Sequence, residues 1–341
     1  MKKEKIFISF PAFNEEDVRL TIDTALQNAF DPLRVFFGIA LHYTYENFPD
    51  LSMYSNVKYV KIDDNVGWGT GQTRAIAASL REEEDYYLQI DGHTIFKKNW
   101  DKKLLNAYKR INSFCEKPII STYVPFWYKD ENGKIFNQEG NEDIQKEMTT
   151  NFLALRQERI PYFTDYGIPA PTWGGIVDKD QVETYLISAH FLFTKIEYLE
   201  EVPFDTQITY FEENTTALRA WTRGYKFFAI KEDVLATREM FKGTDVKNSW
   251  RSSALVINKK GKNFAYMLIE GSLRCKKVLT GEILGVYGAP DLKSFEKYKE
   301  FSNFDYKSFY KEMEEYAIEH KEEAKYAYDI YILEKEKKYD F

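Results

Sequence analysis

Apolar runs at Ile6–Phe10, Val35–Ala40, Val57–Ile62 and Tyr86–Ile90 alternate with helical patterns along the N-terminal part of the chain, and this rhythm restricts the fold more than any other feature. Strand, helix, strand in that spacing points to right-handed crossovers and a largely parallel α/β sheet of the nucleotide-binding kind. The first helix is expected from Val18 through Leu26. Asn14 would cap it, Glu15, Glu16 and Asp17 would complement its dipole, and Asp31-Pro32 would end it. A second helix is expected over Gln72–Leu80.

The Tyr86–Ile90 run ends abruptly in Asp91-Gly92-His93. Strand side chains alternate faces, so Asp91 and His93, at i and i+2, can point to one side just past the strand. In an open α/β sheet that position borders the ligand crevice. A carboxylate oxygen with an imidazole nitrogen suits manganese, or magnesium or another divalent ion, when ligand phosphates complete the shell. An ordinary turn is the alternative for such a short motif.

Upstream of that pair, Asp63–Gly71 is a loop of turn formers with Gly67, Gly69 and Gly71 at alternate positions, leading into the second helix. Such glycines let backbone approach a ligand, and a helix start offers unpaired N–H groups to an anion. The spacing matches neither a Walker loop nor a dinucleotide fingerprint. Arg74, one turn into the helix, is placed to reach a diphosphate or the carboxylates of the metal pair; an unremarkable surface arginine is the alternative.

A chain of 341 residues with a net charge of −7 can bury a substantial core and is not a generally basic nucleic-acid-coating protein. Its one mostly positive stretch, Lys242–Lys277, reads as a solvated helical face or an anion-binding surface. Cys115 and Cys275 lie far apart without ligand-like spacing, which argues for buried thiols rather than a disulfide or zinc framework. Met1–Lys5 passes directly into a strand, too short for a signal segment or a membrane span, so a soluble, cytoplasmic protein is expected.

Lys129–Asn151 is polar and reads as a hairpin or a mobile lid, whereas Pro161–Gly175 is rich in proline, glycine and aromatics. Trp173 within it would cover a sugar or sit buried beneath the loop. Ser188–Phe193 reads as a buried strand with His190 inside, by default a hydrogen-bonded core histidine. A helix is expected after Phe211-Glu212-Glu213, stopping at Gly224. Beyond Lys293 the charged, aromatic-studded pattern reads as a helical appendage serving stability or assembly.

Taken in order, Ile6–Ser9, Phe37–Ile39, Gly67–Ala75, Tyr86–His93, Ser188–Phe193, Val202–Asp205, Phe211–Glu213, Ala217–Tyr225, Tyr287-Gly288 and Lys293–Ser302 resemble the polypeptide (hydroxyproline) N-acetylglucosaminyltransferases. A more distant likeness extends to the mucin-type polypeptide N-acetylgalactosaminyltransferases. The resemblance implies a GT-A α/β sheet flanked by helices, with residues 1–240 as catalytic domain and 241–341 as a basic segment and helical extension packed on it. It also implies a UDP-sugar donor, most directly UDP-GlcNAc, a divalent metal (Mn2+ or Mg2+), and transfer with retention to a hydroxyl-bearing macromolecule. The mucin-type enzymes carry a later histidine that should fall near Val234–Glu239, where this chain has none. The third ligand is therefore open among His190, Glu239 and water, or metal dependence is weaker.

Under that resemblance Asp91 and His93 hold the metal and Arg74 assists the leaving diphosphate. Asp63 would read the uracil or ribose, with Gly71, Gln89 and Trp173 also on the donor side. Glu213, with Glu212 second, would orient the acceptor hydroxyl or steady the oxocarbenium-like centre; an acidic helix start is the alternative. Front-face attack is the family expectation, and a covalent carboxylate intermediate stays open. For the acceptor, a protein hydroxyl comes first, a hydroxymethylated DNA base second because of Lys242–Lys277, with host cytoplasm as the location if the source is viral, and a glycan third. The reading of another class is a non-catalytic nucleotide-sugar or carbohydrate-binding protein.

Overall fold

The computed structural model describes residues 3–43, 48–62, 69–137, 140–145, 153–156, 172–177, 179–209, 212–238 and 264–321. In chain order its elements begin β1 (Ile6–Phe13), α1 (Val18–Asn28), β2 (Val35–His42), β3 (Val57–Ile62), α2 (Thr70–Ala78), β4 (Tyr86–Ile90), β5 (Thr94–Phe96) and α3 (Trp100–Asn112). They continue with β6 (Pro118–Ile120), β7 (Phe126–Lys129), β8 (Ile135–Asn137), β9 (Leu153–Arg156), β10 (Thr172–Ile176), β11 (Gln181–Thr184), β12 (Phe191–Lys195), α4 (Tyr198–Glu201) and α5 (Glu213–Trp221). The last are β13 (Lys226–Ile230), β14 (Leu235–Arg238), α6 (Phe264–Leu279), α7 (Leu292–Ser302) and α8 (Tyr306–Glu319).

Eight strands form the main sheet in the order β11-β13-β6-β12-β4-β1-β2-β3. β1 pairs in parallel with both β2 and β4, and β2 with β3, whereas β12 runs antiparallel between β4 and β6. The chain thus builds β2 and β3 on one side of β1 and returns to place β4 on the other. That reversal is the topological switch point, where the carboxyl ends of neighbouring strands open a crevice.

Period-two alternation builds the two cores. Ile6, Ile8 and Phe10 of β1 and Tyr86, Leu88 and Ile90 of β4 join Val18, Ile22 and Ala25 of α1 and Trp100, Leu104 and Tyr108 of α3 on one face. Phe7 and Tyr87 face the other way, toward Ala78 of α2, Tyr198 of α4 and Ala217 of α5. Each such large side chain, fully buried, contributes roughly 1.5–3 kcal/mol. A third cluster joins Leu218 of α5 to Val278 and Leu279 of α6, Phe295 and Tyr298 of α7, and Phe309, Tyr310 and Met313 of α8. The C-terminal helices therefore share apolar surface with α5.

A second sheet, β5-β14-β7-β8, lies just beyond the carboxyl end of β4, with β7 and β8 forming the hairpin expected after Lys129, here beginning at Phe126. Gly224, at φ +91°, follows the end of α5 as expected. Two local expectations change. α1 starts at Val18, but its cap position is Asp17 and not Asn14, which sits at φ +47° and donates its amide to His42 O at 3.0 Å. β12 begins at Phe191, so His190 lies in the turn before the strand rather than inside it.

Cys115 and Cys275 are both buried free thiols. No helix among the described residues is long and apolar enough to cross a membrane. Asp63, Glu239, most of Pro161–Gly175 and most of Lys242–Lys277 lie outside the described residues.

Candidate active site

Asp91 sits at the end of β4, the first residue past a strand buried along its length. The turn that follows is held from three sides. Thr21 Oγ1 of α1 donates to Gly92 O at 2.8 Å and accepts from Thr94 N at 3.0 Å. Thr94 Oγ1 closes the turn on Asp91 O at 2.8 Å. His93 O accepts from Arg238 N of β14 at 3.1 Å and from Trp127 Nε1 of β7 at 3.0 Å. Rotation of the Asp-Gly-His backbone would break several of these bonds at once.

Side-chain geometry then pairs the two expected ligands. His93 Nε2 lies 3.9 Å from Asp91 Oδ2, while its Nδ1 contacts Glu15 Oε2 at 2.7 Å. Glu15 belongs to the loop after β1, so this contact spans the switch point. Burial disfavours charge on His93, but Glu15, then Asp91 and Asp17, outweigh it and push the imidazole up to about 9. Burial likewise raises the Asp91 carboxyl, yet Arg74 first, then His93 and His190, hold it below the usual carboxylate value. The Asp91 side chain keeps 31 % of its surface exposed, leaving the pair open on one side.

Arg74 is buried and committed to protein groups. Its Nη2 meets Asp91 Oδ1 at 2.9 Å, its Nε meets Glu212 Oε1 at 2.9 Å, and its Nη1 donates to Ile90 O at 3.2 Å. Of the two partners expected for it, the structure pairs it with the carboxylates. Glu212 also lies near Thr70 Oγ1, at 3.4 Å. Glu213 is the first residue of α5, and its Oε2 is buried without a hydrogen-bond partner. Burial and the neighbouring Glu212 charge push its carboxyl up to about 8, which favours the protonated form.

Other sequence candidates occupy different settings. His190 lies one step beyond the Phe191–Ile90 pair, alongside Asp91, with its ring bonded to Ser188 Oγ and edge-on to Tyr123 at 4.8 Å. Burial pushes it down to about 4, against the pull of Asp91, so it is a neutral imidazole. Gln89 is buried, with Nε2 donating to Ala189 O at 2.7 Å and Oε1 accepting from Tyr87 Oη at 3.2 Å. Gly71 N donates to Ile208 O at 3.2 Å and Thr70 N to Thr209 O at 2.9 Å. The start of α2 is thus closed by the 205–209 turn, a correction to the expected open anion site. For Trp173 only the backbone is described, paired with Leu155 in the β9–β10 ribbon.

Three residues join the site without a sequence signal of their own: Glu15, Asp17 and Arg238. The acidic run reads locally as a complement to a helix dipole, but Glu15 turns to His93 and Asp17 binds Arg238 at 2.5 Å. The available clue is position, since a carboxylate just past β1 shares the edge on which Asp91 ends β4. Arg238, paired in register beside His93, falls in the stretch where the later histidine is expected.

Two donors of one ion, each bonded at about 2.1 Å, lie roughly 3–4 Å apart, so the Asp91–His93 pair fits a divalent cation. Glu15 behind Nδ1 is the outer-shell arrangement that turns Nε2 toward a metal. Among the described residues no three His, Cys, Asp or Glu side chains are grouped to hold one.

The family Glycosyltransferase (GlcNAc) matches residues 50–253, more than half of the chain. No curated protein matches in sequence. Among solved structures, GalNAc-T7 with UDP, GalNAc and Mn2+ is similar at 12 % identity and a TM-score of 0.50, over 92 % of this chain and 57 % of that one. TarS from S. aureus, residues 1–349 with UDP-GlcNAc, is similar at 12 % identity and a TM-score of 0.44, over 78 % of this chain and 71 % of that one. The chain spans little more than half of GalNAc-T7, and at such identity the likeness concerns the fold. The chain belongs to the Glycosyltransferase (GlcNAc) family and has the α/β architecture of the GT-A glycosyltransferases.

Proposed function

We propose that the protein transfers a sugar, GlcNAc by its family, from a UDP-sugar to an acceptor hydroxyl with retention of configuration, and that a protein side chain is the acceptor. The observation that carries this reading is the Asp91–His93 pair, set at the switch point with Nε2 3.9 Å from Oδ2 and backed by Glu15. GalNAc-T7, of the same fold, is described with UDP, GalNAc and Mn2+, which supports the donor class and the ion. Residues 1–240 would carry catalysis, with the later helices packed on them.

In the transfer the acceptor oxygen bonds the anomeric carbon, the bond from that carbon to the diphosphate oxygen breaks, and the acceptor proton passes to the departing diphosphate. A divalent ion held by Asp91 and His93, Mn2+ or Mg2+, would neutralise charge on the diphosphate. His93 would give up its Nε2 proton on binding the ion and present Nε2, while Glu15 keeps Nδ1 protonated. Arg74 fixes Asp91 Oδ1, leaving Oδ2 on the His93 side. Glu213 brings a protonated carboxyl with an uncommitted oxygen to the start of α5, able to orient the acceptor or the sugar. Asp63 is assigned to the uridine.

A DNA acceptor would draw on the positive charge of Lys242–Lys277. Within the described part, Arg274 is paired with buried Asp205 at 2.7 Å and Lys276 with Glu314 at 2.5 Å, so both cations are turned inward.

Incubation with a panel of UDP-sugars and Mn2+, followed by mass analysis of Ser-, Thr- and hydroxyproline-containing peptides and of hydroxymethylated DNA, tests the assignment. UDP release with a hexosamine mass gain on peptide is expected, and Asp91→Asn or His93→Ala should abolish both while the circular dichroism spectrum is kept. Wild-type turnover in either variant would remove the site, and no UDP release by the wild type would favour a binding protein.

A further inference from the structure

The turn 205–209, which leads toward Glu212 and Glu213, is wedged between two helices distant in sequence. On one side are the amides of Thr70 and Gly71 at the start of α2. On the other is α6. Arg274 Nε donates to Asp205 Oδ2 at 2.7 Å with both side chains buried, and Thr209 Oγ1 donates to Met267 O at 3.0 Å. A Cβ added to Gly271 would meet Thr209 N at 2.9 Å, so only glycine lets α6 approach this backbone so closely. Cys275, one residue after Arg274, packs on Ile208.

Arg274 is itself held from behind. Its guanidinium lies over the Tyr287 ring at 5.3 Å, as does that of Arg219 at 5.6 Å. Arg223 ties the same loop down by donating to the carbonyls of Gly285 at 2.7 Å, Val286 at 3.1 Å and Gly288 at 3.0 Å. A continuous path of packed and bonded groups therefore runs from Tyr287 through Arg274 and Asp205 to the turn. From there it continues through Thr209, Thr70 and Glu212 to Arg74 and Asp91.

We propose that α6 is a positioning element of the active site: through Gly271 and Arg274 it sets the 205–209 turn, and thereby the placement of Glu212 and Glu213 against Arg74. The inference rests on the transferase reading, in which Glu213 faces the acceptor or sugar. Gly271 and Arg274 act through the turn they contact. A misplacement of order 1 Å at a reacting group costs up to about 100-fold in rate.

The test compares full-length wild type, Gly271→Ala, Arg274→Gln and Arg274→Lys, each with and without Glu213→Gln, at temperatures well below unfolding. Arg274→Gln and Gly271→Ala should lower kcat about 10- to 100-fold, with KM for UDP-GlcNAc and calorimetric UDP affinity nearly unchanged. Arg274→Lys should fall between. In the Glu213→Gln background the same substitutions should lose the part of their effect that acts through Glu213, because residues acting through one group are not additive. Unchanged kcat in Arg274→Gln, or equal losses in both backgrounds, overturns the inference. If Gly271→Ala does not fold, the two Arg274 variants suffice to support or overturn it.

Hydrogen exchange without substrate provides a readout independent of turnover. Arg274→Gln should speed exchange over residues 205–216 and leave β1 protected. Unaltered exchange over 205–216 defeats the positioning role whether or not the enzyme turns over. A wild type that releases no UDP yet shows this response defeats the transferase reading instead.

Discussion

Glu15 Oε2 lies 2.7 Å from His93 Nδ1, joining the loop after β1 to the turn after β4 across the switch point. The contact does for the imidazole what a side chain in solution cannot do for itself. It holds the proton on Nδ1 and turns Nε2 toward Asp91.

Removing that partner should weaken cation binding more than it disturbs the fold. Glu15→Ala is expected to reduce Mn2+ affinity, measured by calorimetry in the presence of UDP, by about 10- to 100-fold. Glu15→Gln keeps an acceptor oxygen and should lose much less. Equal affinities for wild type and Glu15→Ala would show that Glu15 does not orient His93.

Arg74 neutralises two carboxylates from different elements, Asp91 after β4 and Glu212 before α5. Taking away one member of a buried ionic group leaves the others uncompensated, at a cost of about 3–5 kcal/mol. Arg74→Met should show that loss in urea unfolding. A loss under about 1 kcal/mol, the value typical of exposed pairs, would mean that water reaches the cluster freely.

The Glu213 carboxyl, pushed up to about 8 from an ordinary 4.5 by burial and by Glu212, makes stability depend on pH. The folded state holds this proton more tightly than the unfolded state. Its contribution to stability is therefore complete below pH 4.5 and is lost as pH rises through the folded value of about 8. Glu213→Gln removes the titration, so its Tm relative to wild type should climb on going from acid to alkaline buffer. A Tm difference that stays flat across that range would place the carboxyl in water.

Gly71 separates packing from donor contact. A Cβ there would meet Asp205 O at 2.4 Å and Ile208 O at 2.6 Å. Gly71→Ala should cost about 1–3 kcal/mol of stability, with calorimetric UDP affinity nearly unchanged. Lost UDP affinity at an unaltered Tm would return Gly71 to the donor site.

Much of the scaffold is legible in the sequence because local periodicity and global burial agree. The Val57–Ile62 run is a strand with those bounds, and the Tyr86–Ile90 run ends where Asp91 breaks the alternation. Asn14 and the acidic run mislead for the opposite reason. A capping pattern is a local signal, and at this edge a histidine after β4 and an arginine at the end of β14 compete for the same carboxylates.

What the chain determines by itself is therefore the α/β rhythm, the Asp-x-His motif at a strand end and the acidic pair at the start of α5, all carried by neighbours in sequence. Which partners those groups take was decided only by the tertiary structure: Arg74 joining Asp91 to Glu212, Glu15 behind His93, and α6 against the turn before Glu212. The physical reason is distance along the chain. Pairings such as that of Arg74 with Glu212 form only when the β1–β4 reversal and the packing of α2, α5 and α6 bring their elements to one edge of the sheet, and no local pattern encodes such a meeting.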